Sequence, residues 1–152
     1  MIEVTGLDAN VNMEPYASKA AQLSGVPFRF VLGDAEKLPF PDESFEAVVG
    51  THVMCSVPQP ERALREIARV LKPGGRYLFW EHVRAQDDRK GLQFQQDILD
   101  PLQQVFFQGC HLSRDTLGTI MKSEAFSDVQ AETKYLGDRP LLSPHAIGIA
   151  YK

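Results

Sequence analysis

The sequence predicts an α/β fold built on a mostly parallel sheet, with an antiparallel hairpin at its C-terminal end. Three observations carry this expectation. Short apolar, β-branched or aromatic runs alternate with segments of helical spacing through most of the chain. Gly, Pro or Asp closes nearly every run. The last two strand-like runs follow one another with no helical pattern between them, which only an antiparallel pair can accommodate over so short a connection.

Taken in order, Glu3 to Leu7 is short, β-branched and followed by Asp8, as expected of a buried strand entering a turn. Met13 to Leu23 reads as a helix closed by Ser24 and Gly25, and Phe28 to Leu32 as the next strand. Gly33 to Ser44 is a loop in which Pro39 and Pro41 prevent regular structure. Phe45 to Gly50 resumes as a strand. A helix opens at Pro60 and Glu61, with Ala63, Leu64, Ile67, Ala68 and Leu71 at helical spacing, until Lys72-Pro73-Gly74-Gly75 stops it.

Arg76 to Val83 is an aromatic-rich strand. Gly91 to Phe107 reads as a helix kinked or broken at Pro101, and Arg114 to Ser123 as a second helix with Ser113 as its N-cap. Phe94, Phe106 and Phe107, in part at helical spacing, are expected to pack into the core, the alternative being a lid over an apolar acceptor. Asp128 to Tyr135 alternates and His145 to Tyr151 is compact and apolar, giving the terminal hairpin.

The chain of 152 residues is one domain long, with 43% hydrophobic and 24% charged residues. A net charge of −4 without a long Lys/Arg run points away from nucleic acid and from a polybasic membrane contact, toward a small-molecule substrate. No apolar run reaches the ~18–20 residues of a membrane span, so a cytoplasmic location is expected of this chain. Cys55 and Cys110 have neither a disulfide framework nor zinc spacing and read as small hydrophobes; no metal is expected.

In a parallel sheet, ligands bind beyond the carboxyl ends of the strands. The residues just past those ends are Asp8, then Asp34 with Ala35, then Thr51 with His52, then Glu81 with His82. Asp8 can accept hydrogen bonds from vicinal ribose hydroxyls or can cap the helix after it. Asp34 can accept from an adenine amino group, with Ala35 leaving room for the ring, or can stabilise its own turn. His52 can act as a base, since histidine titrates in the useful range, or can simply line the pocket. Glu81 and His82 form a second polar pair that either joins the chemistry or only ties the strand end to its neighbours.

The string GDAEKLPFPDESFEAVV, followed by EIARVLKPGGRYLFWEH, resembles the class I S-adenosylmethionine-dependent methyltransferases, in particular the methyltransferase type 11 group. THVMCSV, ILDPLQQVFFQGCHLSRDTL and the terminal HAIGIAYK are similar to the methyltransferase-like thiol methyltransferases. The resemblance implies a Rossmann-like fold, S-adenosylmethionine as cofactor, and methylation of a small acceptor such as an alkyl thiol. It implies cofactor-binding roles for Asp8, Asp34, Ala35, Thr51 and His52, with His52, Glu81 and His82 as the catalytic candidates. Lys72 to Gly75 would be structural.

In that family a strand and glycine-rich loop precede the strand that here begins at Glu3, and the chain is expected to lack both. Two inner strand edges would then be unpaired unless they meet directly, and self-association through them is expected. The alternative to an enzyme is therefore a non-catalytic, methyltransferase-like remnant that acts by association. For a longer parent, the resemblance leaves membrane association open.

Overall fold

The computed structural model describes residues 3–137 and 140–152. Among the described residues six strands and four α-helices follow the expected order. They are β1 (Val4–Asp8), α1 (Glu14–Ser24), β2 (Phe28–Leu32), β3 (Phe45–Thr51), α2 (Pro60–Val70), β4 (Leu71–His82), α3 (Lys90–Phe106), α4 (Thr116–Met121), β5 (Asp128–Tyr135) and β6 (Pro144–Tyr151).

The strands form two hydrogen-bonded groups. β1 pairs β2 in parallel, with Asp8 opposite Leu32. The second group has the order β3-β4-β6-β5, parallel between β3 and β4 and antiparallel in the pairs β4–β6 and β6–β5. The terminal hairpin is thus as expected, with β6 inserted between β4 and β5. Among the described residues β1 and β3 form no ladder, so each keeps an edge without backbone partners.

α2 is fixed to the second group by its apolar stripe. Ala63, Leu64, Ile67 and Ala68 are buried against Tyr77 and Phe79 of β4, joined by Ile120 and Phe126. Each fully buried aliphatic side chain there contributes about 1.5–3 kcal/mol. Lys72-Pro73-Gly74-Gly75 ends the helix as expected but lies within β4 as a bulge: Phe45 faces Leu71, and the next partners are Ala47 and Arg76. Gly74 takes φ +74, and a Cβ on Gly75 would stand 2.8 Å from the Lys72 carbonyl and 3.1 Å from that of Glu46.

Three sequence expectations are corrected. α3 continues as a helix through Pro101 rather than breaking there, the missing Pro N–H costing it a single backbone bond. α4 begins later than expected and its N-cap is Asp115, whose side chain accepts the Gly118 N–H at 2.8 Å. Ser113 instead gives its backbone N–H to Asp100 at 3.0 Å. Phe94, Phe106 and Phe107 are 65%, 74% and 55% exposed rather than core residues. α3 docks through polar side chains: Gln96 accepts the Ala85 N–H at 2.8 Å and gives its amide to the Leu141 carbonyl at 3.2 Å.

Candidate functional site

Asp8 and Asp34 lie at or just past the carboxyl ends of the paired strands β1 and β2. The Gly33 N–H donates to the Asp8 carbonyl at 3.1 Å, which carries the chain from β2 past the end of β1 and sets Asp34 beside it. Each aspartate spends one oxygen on its own turn. Asp8 Oδ1 accepts the Asn10 N–H and Asp34 Oδ1 accepts the Glu36 N–H, both at 2.8 Å. Ala35 is half-buried against the core below α2 and β4.

On the second group of strands, β3 ends at Thr51, opposite Trp80 of β4. His52 follows in the left-handed region, φ 55, held there by its N–H donating to the Trp80 carbonyl at 2.9 Å. A non-glycine residue there is strained, and the strain turns the chain sharply out of the strand. The His52 ring is 5.4 Å from that of His145 on β6, centroid to centroid. Local desolvation, then the nearby His145 and His82, hold its pKa below the ordinary histidine range.

Glu81 and His82 occupy opposite faces of β4. Glu81 is completely buried and its carboxylate accepts the Val53 N–H at 3.1 Å and the Cys55 N–H at 3.4 Å. From the other side, the Arg114 guanidinium donates to the carbonyls of Met54 (2.8 Å) and Val57 (2.7 Å). The turn that carries the chain away from His52 is thereby clamped between a carboxylate and a guanidinium. Burial pushes the Glu81 pKa up to about 7 despite those backbone donors.

His82 is buried with Nε2 3.2 Å from the Leu141 carbonyl, so Nε2 carries the proton of the neutral ring and Nδ1 is left without a hydrogen-bond partner among the described residues. Burial disfavours its charged form, but the Cys110 sulfur and the Leu141 carbonyl outweigh burial and raise its pKa. His145 stands edge-on to both His82 (5.9 Å) and Trp80 (6.1 Å).

The structure therefore gathers Asp8 and Asp34 at one strand group and Thr51, His52, Glu81 and His82 at the other. Sequence reasoning missed three members of this neighbourhood. His145 reaches it because β6 runs antiparallel beside β4 with His145 opposite His82, a register that no local pattern specifies. Arg114 and Cys110 arrive from beyond α3, in the string ILDPLQQVFFQGCHLSRDTL, whose family likeness says nothing of which strand end it reaches. A surface depression of about 570 Å³ lies elsewhere, lined by Glu61, Arg65, Asp115 and Lys122 among others. No helix is long and apolar enough to cross a membrane among the described residues.

Comparison with known proteins agrees with the fold. A methyltransferase domain family matches residues 1–79. Thiol S-methyltransferase TMT1B of Rattus norvegicus is 38% identical over 99% of this chain, and thiol S-methyltransferase TMT1A of Homo sapiens is 36% identical over 98% of it. The chain spans 62% of the length of each of these relatives. A solved structure of an S-adenosylmethionine-dependent methyltransferase from Methanosarcina mazei shares the fold with a TM-score of 0.69, at 21% identity, over 99% of this chain and 82% of that one.

Proposed function

We propose, for a chain that belongs to the S-adenosylmethionine-dependent methyltransferase family, that it methylates the sulfur of a small alkyl thiol. The observation that carries this reading is the likeness to thiol S-methyltransferases over nearly the whole chain, at 36–38% identity. The strand-end residues are chemically suited to it.

The cofactor's nucleoside end offers hydrogen-bond donors, the ribose hydroxyls and the adenine amino group, and Asp8 and Asp34 are acceptors on adjacent strand ends. Each keeps Oδ2 for such a donor, since its backbone turn uses Oδ1. The residues present therefore fit that end of the group. When bound, S-adenosylmethionine supplies an electrophilic methyl group for in-line displacement.

The protein's task is then to align a sulfur, exclude water and receive a proton. With its pKa depressed, His52 is neutral near pH 7 and can take the thiol proton on its imidazole. Thr51 lines the same strand end. Glu81 acts through the turn it holds rather than by touching an acceptor, and the His145 ring packs against both His52 and His82. A cytoplasmic location for the chain fits this reading. The edges of β1 and β3 support a second one, in which the chain associates with copies of itself.

The test is a transfer assay at saturating cofactor with a short alkyl thiol and the matching alcohol. Methyl thioether from the thiol, with little or no ether from the alcohol, supports the reading; no product from either overturns it.

A further inference from the structure

We propose that Cys110 and Cys55 form a peroxide-sensitive dithiol, in which Cys110 is the sulfur attacked first and Cys55 is the thiol that resolves it into a disulfide. The two sulfurs lie 3.8 Å apart across 55 residues of sequence. A bond needs about 2.05 Å, a closure within reach of side-chain rotation and small backbone shifts.

The two segments are already fastened to each other. The His111 N–H donates to the Cys55 carbonyl at 2.9 Å, and a Cβ on Gly109 would come within 3.2 Å of the Ser56 carbonyl. Gln108 and Gly109 both take positive φ, +53 and +82, making the tight turn that delivers Cys110 to this contact. On its own side Cys55 is held by the Glu81 carboxylate, which accepts its N–H.

The environments of the two thiols assign their roles. Cys55 is completely buried, whereas Cys110 is half-exposed, so a reagent from solvent meets Cys110 first. The Cys55 thiol as hydrogen-bond partner and the His82 imidazole beside it hold the Cys110 thiol below the ordinary thiol range, and the same pairing, with burial, raises Cys55. His82 Nδ1, left without a hydrogen-bond partner, is the atom that can hold the displaced proton.

With a hydroperoxide the reaction balances in two steps. The Cys110 thiolate attacks a peroxide oxygen; the S–O bond forms, the O–O bond breaks, and the leaving alkoxide or hydroxide takes the proton from His82 and departs as alcohol or water. The Cys55 sulfur then attacks the Cys110 sulfenic sulfur. The S–S bond forms, the S–O bond breaks, and the hydroxyl leaves as water with the Cys55 proton. Both electrons gained by the peroxide come from the two sulfurs.

The test exposes the chain to stoichiometric hydrogen peroxide, then maps its peptides by mass spectrometry with dimedone present. A Cys55–Cys110 linked peptide in the native sequence, and a dimedone adduct on Cys110 in Cys55→Ser, are the expected results. His82→Asn is expected to slow Cys110 oxidation at pH 6 by about tenfold, because less of the thiol is ionised. The proposal is overturned if both cysteines of the native chain stay alkylatable after peroxide, if the bond joins Cys110 of two copies, or if Cys110→Ser leaves Cys55 as reactive as before.

Discussion

The Glu81 carboxylate lies beneath the turn that follows β3 and accepts the Val53 N–H at 3.1 Å. A strand residue thus fixes, from a fully buried position, a loop 28 positions earlier in the chain.

That burial has a consequence for stability. Because folding raises the Glu81 pKa from 4.5 to about 7, the native state holds the proton that the unfolded chain has already released between those values. Its contribution is therefore complete below pH 4.5 and is lost as pH rises through about 7, to an extent of about 3 kcal/mol. Glu81→Gln is expected to flatten this part of the stability–pH curve in denaturant titrations. A slope unchanged by the substitution would contradict the assignment.

Asp8→Ala is expected to weaken S-adenosylmethionine binding by about 1–3 kcal/mol, the range for leaving polar partners unpaired. Calorimetric titration measures it directly. Unchanged affinity would leave Asp8 with only its turn, in which it accepts the Asn10 N–H.

For His52→Ala the expected loss of turnover is smaller with a thiol acceptor than with an alcohol, since a thiolate forms with less assistance. The native rate should also hold up on the acid side below the ordinary histidine value of 6.5, where a depressed pKa keeps His52 neutral. Equal losses for both acceptors would count against the thiol reading.

At the bulge in β4, Gly75→Ala is expected to cost about 1–3 kcal/mol and to lower the melting temperature, because its Cβ would press on the Lys72 and Glu46 carbonyls. Gly137→Ala is the comparison, since φ is +76 there and no described residue stands near its Cβ, so its loss reports backbone strain without crowding. A Gly75→Ala variant as stable as the native chain would contradict the crowding.

These positions also mark what could be read before the fold was known. α2 and β4 were legible because apolar spacing and Lys72-Pro73-Gly74-Gly75 are local, and the positions of Asp8, Asp34 and His52 because each lies at a strand end or within two residues of one. α3 was half-legible. Its length followed from pattern, but its dependence on Gln96 and Asp100 inverted the expected burial of Phe94 and Phe106. The meeting of Cys55 with Cys110, and of His82 with His145, was not legible, because it depends on strand order and on a turn at Gln108 and Gly109 that has no signature at the level of residue spacing.

The most direct measurement is methyl transfer itself: the chain is incubated with isotopically labelled S-adenosylmethionine, well above its dissociation constant, and a short alkyl thiol, and both products are counted. The account predicts labelled methyl thioether and S-adenosylhomocysteine in equal amounts, reduced together by Asp8→Ala at limiting cofactor. Cofactor that binds yet yields no thioether would contradict it.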